Sequence, residues 1–226
     1  LALIVKEPDL STTIVTFLII ASLMFVTGLS YKLVGIVLGI TIPAIAILLL
    51  VIVNKGSSIL QGYQSLRILA WLKPEEYPET AYQQQNSIMA IGSGQFFGKG
   101  LYNNSVDSVK NGNYISEPHT DFIFSVAGEE MGFLGSVLII LLLLFIVYEC
   151  IQTAKVAKDL SGKLICSGMA ALVGFQSFVN ICVVTGLFPN TGLPLPFVSY
   201  GLTSLVSLYL GIGLVLNIGL QPKKYK

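Results

Sequence analysis

Charged residues are scarce in this chain of 226 residues, at 11% of the total. A soluble domain usually carries about 25%, so this sequence has too few charges to cover a surface that faces water. Histidine occurs once, as His119, and no Cys/His spacing is typical of a zinc site. The three cysteines, Cys150, Cys166 and Cys182, lie in or beside apolar runs, which predicts buried side chains and no disulfide framework. The net charge of +1 gives no field that would attract nucleic acid.

Long apolar runs are what the sequence has in abundance, and hydrophobic residues make up 54% of it. A bilayer core about 30 Å thick is crossed by about 20 apolar residues in a helix. Because backbone groups in lipid must be hydrogen-bonded within the protein, such runs are expected to be helical. The sequence predicts an all-α integral membrane protein, a polytopic bundle forming a single domain over residues 1–226. The predicted membrane-spanning helices are residues 10–29, 33–53, 131–148, 164–188 and 202–220.

Three short basic segments set the predicted orientation. They are the turn at Lys32, the lysine-rich stretch 152–163 and the C-terminal tail with Lys223, Lys224 and Lys226. Five alternating spans place all three on one face, which the positive-inside rule assigns to the cytoplasm. The C-terminus is then cytoplasmic, and residues of about 54–130 form a large extracytoplasmic loop.

This outer loop is too rich in aromatic residues to be a disordered linker. Apolar residues at helical spacing over Ser58–Ala70 predict a short helix at the membrane surface. Residues 73–78 break it, and a second short helix is predicted over residues 82–91. The glycines that follow fit either a phosphate-cradling turn or a tight re-entrant turn, and glycine's role in turns favours the latter. They are Gly92, Gly94, Gly98 and Gly100.

The end of the loop carries the acid of greatest interest, Asp121. Thr120 is predicted to cap the following helix, with Asp121 in its first turn. Asp121 then either complements the helix dipole or is a carboxylate at the membrane edge, available as a general base. Glu129 and Glu130 continue into apolar sequence, where acids are costly and usually face a cavity or a partner. Glu129 is predicted either to support Asp121 as a second acid or to pair with a lysine.

The last outward segment, residues 185–201, contains three prolines and three glycines. This composition predicts an irregular backbone at the outer membrane face. Such a backbone is tolerated at membrane depth where it is buried in protein or lines a cavity. The segment is therefore either a rigid connector or one wall of an outward cavity beside Asp121.

The motifs and their order resemble the SEDS family, which includes RodA, FtsW and SpoVE. The resemblance covers essentially the whole chain, which corresponds to the C-terminal half of a ten-helix protein. The sequence also begins within an apolar stretch, without an initiator methionine. We therefore expect a fragment that lacks the first five helices. Two positions depart from the family's usual glycine, Ser11 and Leu202. The matching motifs are Glu7–Thr12, Ser116–Phe124, Gly128–Gly135 and Pro189–Gly201.

The resemblance implies a peptidoglycan glycosyltransferase of the bacterial cytoplasmic membrane, acting in elongation, division or sporulation. It would polymerise lipid II into an undecaprenyl-linked glycan strand by inverting glycosyl transfer, releasing undecaprenyl pyrophosphate. A class B penicillin-binding protein is the expected partner, and a divalent cation such as Mg²⁺ or Mn²⁺ is a candidate cofactor. The family's essential acid falls on Asp121. The further candidate substrate contacts are Lys99, Lys110, His119, Glu130, Thr191 and Ser199, and Arg67 is a third cation of the outer segment.

Two other functions fit the same residues. A lipid II flippase or another transporter also uses irregular outward segments and intramembrane acids. Its acids should lie near the middle of the membrane, whereas Asp121 and the glutamates lie towards the outer face. A non-catalytic scaffold is the third hypothesis, and it predicts that Asp121 can be replaced without loss of function.

Overall fold

The computed structural model describes residues 10–28, 62–101 and 118–221, with single positions at 30, 35, 36, 39, 43, 108 and 115. Helices and irregular segments make up these residues, and no strand occurs among them, in agreement with the predicted all-α class. The helices are α1 (Leu10–Val26), α2 (Gly62–Leu72), α3 (Pro78–Ser93), α4 (Ile123–Val156), α5 (Leu160–Val184) and α6 (Leu202–Leu220).

Three of these helices are long and apolar enough to cross a membrane, namely α4, α5 and α6. Helix α1 is apolar too, but its 17 residues are slightly fewer than the about 20 that a bilayer core requires. Together they support a multi-pass membrane protein. The predicted span 202–220 coincides with α6, whereas the predicted span 33–53 lies outside the described residues except for single positions.

The helices that contain two of the predicted spans have limits that differ from those of the spans. Helix α4 begins at Ile123 and ends at Val156, well beyond the predicted limits of 131 and 148. Helix α5 runs from Leu160 to Val184, so the residues up to 188 that we expected to be helical form a turn instead. Apolar runs indicate which residues can contact lipid, and they do not mark where a helix ends. A helix continues through charged residues for as long as its backbone hydrogen bonds can form.

Both short helices predicted in the outer loop are present within the described residues. Helix α3 is longer than predicted, and Pro78 occupies its first turn, where a missing N–H costs nothing. The two helices dock on the C-terminal end of α5. The Trp71 Nε1–H donates to the Gly186 carbonyl at 2.8 Å. The Gln84 amide donates to the carbonyls of Val183 and Phe188, both at 2.7 Å. Both short helices are thus anchored to the end of a helix that is long and apolar enough to cross a membrane.

Helix α4 is broken near its N-terminal end at Gly132, where φ is +67° and ψ is −162°. A glycine adopts this backbone without a Cβ clash. The break would strand backbone groups, but the turn of residues 94–100, here called the glycine loop, pairs with them. Four backbone hydrogen bonds of 2.9–3.3 Å join the two segments: Lys99 N–H to Glu129 O, Gly100 N–H to Glu130 O, Phe133 N–H to Gln95 O and Leu134 N–H to Phe96 O.

These hydrogen bonds also favour one of the two interpretations of the glycines. The N–H groups of Lys99 and Gly100 donate to α4, so they do not point towards a phosphate. Ideal Cβ atoms placed on Gly94 and Gly98 would lie 1.9 Å and 2.2 Å from backbone oxygens of α4. The glycines therefore permit close backbone contact in a tight turn.

The apolar core lies between α4, α5 and α6. All three cysteines are free and buried, as predicted, and two of them belong to this core. Leu195 of the last outward segment is also part of it, at 1% exposure. A second small cluster packs α1 against α5 and includes Leu193 of the same segment. Residues 185–201, which the sequence predicted to be irregular, are thus held in place by apolar side chains that pack against the helices.

Candidate active site

Asp121 lies in the turn of residues 118–122 that leads into α4, here called the Asp121 turn. The N-cap residue of α4 is Phe122, whose side chain makes no capping hydrogen bond. The predicted capping role of Thr120 is therefore wrong, and Asp121 precedes the helix instead of lying in its first turn. The physical reason is that the backbone of this turn is held by a neighbouring segment and not by a local cap.

That neighbouring segment is Pro189–Gly201, here called the wall segment. Three successive carbonyls of the Asp121 turn each accept one hydrogen bond, two from the wall segment and one from α5. Because the three carbonyls belong to consecutive residues, these hydrogen bonds fix the backbone of the turn at each of them. The pairs are Tyr200 N–H to His119 O at 2.9 Å, Ser199 Oγ to Thr120 O at 2.6 Å, and Asn180 Nδ2 to Asp121 O at 2.7 Å.

Asn180 has a role that the sequence interpretation missed. Its side chain is 1% exposed, and its amide donates to Leu193 O at 2.6 Å as well as to Asp121 O. One turn earlier on α5, the Gln176 amide donates to Pro194 O at 2.9 Å. A signal was available, because two amide side chains four residues apart in an apolar helix lie on one face and need partners there.

Asp121 and Arg67 approach the same point of the wall segment, the backbone of Gly192. A Cβ atom placed on Gly192 would lie 3.3 Å from Asp121 Oδ2 and 4.0 Å from Arg67 Nη1. The Arg67 guanidinium donates to Asn190 O at 3.3 Å. Gly192 has a φ of +72°, and its missing side chain leaves room for both charged groups. A carboxylate and a guanidinium therefore flank one turn.

Glu129 pairs with a lysine, which confirms one of the two expectations for it. The Lys99 ammonium lies 2.8 Å from Glu129 Oε1, and the Glu129 side chain is 1% exposed. Ser108 Oγ donates to the other carboxylate oxygen at 3.4 Å. Burying an acid at this depth requires a partner. The charge of Lys99 is thus committed to Glu129, which leaves less of it for a phosphate.

The other ion pair among the described residues is different in kind. Lys73 and Glu76 lie 2.8 Å apart and both are exposed. The Lys73 ammonium donates a hydrogen bond to Glu76, and this bond, together with the negative charge of Glu76, raises the pKa of Lys73. Exposed pairs of this type contribute little to stability. This pair is a surface feature and not part of the site.

The predicted substrate contacts fall into two places. The exposed His119 belongs to the Asp121 turn, and the buried Ser199 is hydrogen-bonded to that turn. The partly buried Thr191 precedes Gly192 in the wall segment. The Ser199 hydroxyl is committed to the backbone, because it also accepts from Leu195 N–H at 2.7 Å. Lys99 and Glu130 lie at the break in α4, about two helical turns further along. Lys110 lies outside the described residues.

The site can therefore perform chemistry that requires a fixed carboxylate next to a cation. Asp121 can accept a proton from a weak nucleophile such as a hydroxyl. Arg67 can stabilise negative charge, because its guanidinium offers several fixed donors. Within the described ranges, no three His, Cys, Asp or Glu side chains are grouped so as to hold a metal ion.

Comparison with known proteins finds similar sequences and a similar solved structure. Residues 1–224 match the cell cycle protein family of FtsW, RodA and SpoVE. A probable peptidoglycan glycosyltransferase FtsW of Geobacter sulfurreducens is 36% identical over 99% of this chain and 57% of its own length. The corresponding protein of Buchnera aphidicola subsp. Schizaphis graminum is 37% identical, covering 97% of this chain and 60% of that relative.

A solved structure shows the same likeness. One chain of a peptidoglycan synthase complex that coordinates polymerization and crosslinking superimposes with a TM-score of 0.72 and 31% identity. The match covers 96% of this chain and 57% of that one. The chain thus spans somewhat more than half the length of the relatives it matches. With the family match over nearly its whole length, the chain belongs to the cell cycle protein family of FtsW, RodA and SpoVE.

Proposed function

We propose that this chain is the C-terminal half of a peptidoglycan glycosyltransferase that joins lipid II units. The observation that carries the proposal is the Asp121 carboxylate, held in a fixed turn at the start of a membrane helix and flanked by Arg67 across Gly192. The names of the matched relatives support the reaction class.

In the proposed reaction, Asp121 is the general base. It accepts the proton of the C4 hydroxyl of one lipid-linked GlcNAc as that oxygen attacks the anomeric carbon of a lipid-linked MurNAc. The configuration inverts, and undecaprenyl pyrophosphate leaves. Negative charge develops on the leaving group, and Arg67 is our choice for stabilising it. We choose Arg67 because its Nη1 lies 4.0 Å from the position of a Gly192 Cβ, next to Asp121.

The proposal extends to parts of the protein that go beyond the described helices. We place five membrane spans in this chain and ten in the whole protein, with the C-terminus in the cytoplasm and the long loop outside. This orientation rests on the basic segments Lys155–Lys163 and Lys223–Lys226. The Asp121 turn then opens to the outer side, where lipid II would be polymerised.

A class B penicillin-binding protein is the partner we propose. The structural neighbour comes from a complex whose polymerization and crosslinking are coordinated. A divalent cation is also part of the proposal. Mg²⁺ is commonly held by one or two carboxylates together with substrate phosphates, so a bound pyrophosphate would supply part of its donor set. Such a cation would neutralise charge on the pyrophosphate.

The test is polymerisation of lipid II by the full-length protein with its partner in proteoliposomes, in variants matched for charge. Asp121→Asn is expected to abolish glycan strands, because the carboxylate is lost with little change in shape. Glu75→Gln, at an exposed acid of the outer segment, should leave activity unchanged. Full activity of Asp121→Asn would refute the base assignment. Transfer of lipid II across the bilayer without polymerisation would support the transporter instead.

A further inference from the structure

Asn180, near the C-terminal end of α5, joins two segments that are distant in the chain. Its amide donates to the backbone oxygens of Asp121 and Leu193 at 2.7 and 2.6 Å. Because both partners are carbonyls and can only accept, the orientation of the amide is determined. We infer that Asn180 is a positioning residue for the reaction proposed above, on which this inference rests. It sets the place of the Asp121 carboxylate relative to Gly192.

The two hydrogen bonds hold both sides of one contact. On one side is Asp121 itself, whose Oδ2 lies 3.3 Å from the position of a Gly192 Cβ. On the other is Leu193, the residue that follows Gly192. Loss of the amide would free the two backbones to move apart. A general base that is displaced by about 1 Å can lose about 100-fold in rate, so small movements here matter.

Gln176 provides a matched control on the same helix. Its amide donates to Pro194 O in the wall segment at 2.9 Å, one turn of α5 away from Asn180. It thus holds the wall segment, but its hydrogen bond does not reach the Asp121 turn. Gln176→Ala removes a partly buried hydrogen bond to the same wall segment and leaves the amide of Asn180 in place.

The experiment uses the full-length protein with its partner and measures the kinetics of lipid II polymerisation. Asn180→Ala removes the amide, and Asn180→Asp keeps its shape but replaces the donor by oxygen. In both variants kcat is expected to fall about 100-fold. The KM and the number of lipid II molecules bound per protein should stay at the wild-type values. Gln176→Ala should keep kcat within about threefold, since Asp121 remains held.

The number of lipid II molecules bound per protein distinguishes a positioning role from a folding defect. If less protein is folded, this number falls by the same factor as the polymerisation rate. Such a parallel loss, a wild-type kcat in Asn180→Asp, or an equal loss in Gln176→Ala would overturn the inference. Absence of polymerisation by the wild type contradicts the proposed function instead. The role of Asn180 in holding the Asp121 turn to the wall segment is then tested by hydrogen exchange of the Tyr200 amide, which donates to His119 O. Asn180→Asp should accelerate this exchange and Gln176→Ala should not; equal rates overturn the inference.

Discussion

The contact between α3 and α4 leads to a sharp prediction at Gly94. This residue ends α3 with helical angles, φ −71° and ψ −18°, which alanine also adopts. Its added Cβ would lie 1.9 Å from Gly128 O and 3.0 Å from Glu129 Cα. Favourable contacts to a carbon atom lie at about 3.5–4.0 Å, so the two backbones would have to separate by more than 1 Å.

The expected destabilisation of Gly94→Ala follows from this separation. Overpacking alone costs about 1–3 kcal/mol. Each of the four hydrogen bonds between the glycine loop and α4 that is lost adds about 0.5–1.5 kcal/mol. We therefore expect a loss of at least about 3 kcal/mol, seen as a lower midpoint of thermal unfolding for the full-length protein in detergent.

Gly92 is the matched control for this prediction. It lies two residues earlier, inside α3, and a Cβ there would meet nothing within 4 Å. Gly92→Ala should raise stability by about 0.5–1 kcal/mol, because alanine loses less backbone entropy in a helix. Equal unfolding midpoints for the two variants would refute the close approach of α3 to α4.

Three further predictions concern charge and hydrogen bonding. Lys99→Met should cost about 3 kcal/mol by leaving Glu129 buried and unpaired, and adding Glu129→Gln should restore part of the thermal stability; no restoration would contradict the pairing. Arg67→Ala should lower the kcat of polymerisation about 100-fold, with partial activity in Arg67→Lys, since charge remains but the planar donor is lost; wild-type kcat in Arg67→Ala would exclude the charge role. Gln84→Met should cost about 1–3 kcal/mol for each of two stranded carbonyls. Unchanged unfolding of this variant would argue against docking of α3 on α5.

Much of the fold could be predicted from apolar length alone. The helix at 202–220 could be located from the sequence, because the irregular wall segment ends just before it and Gln221 and Pro222 follow. The limits of α4 could not be obtained from apolar length. Glu129 and Glu130 lie near its start and Lys155 near its end, so the apolar run is shorter than the helix. Glu129 is accommodated because a lysine 30 residues earlier in the chain reaches it.

The candidate site was predictable only in part. Asp121 was found through its motif, and the wall segment through its proline and glycine content. Asn180 was not, because its partners are 59 and 13 residues away and one asparagine in an apolar run does not indicate which carbonyls it meets. The close approach of Gly94 to α4 was equally hidden, since contact between glycine backbones leaves no periodic pattern in the sequence.

The break at Gly132 has a consequence for depth. A straight helix of 34 residues would be about 50 Å long, far more than the about 30 Å of a bilayer core. The part that follows Gly132 measures about 36 Å and can cross the core by itself with some tilt. The first residues of α4 are then released to run at another angle. The break at Gly132 thus sets the angle at which the segment that carries Asp121 leaves the long apolar part of α4.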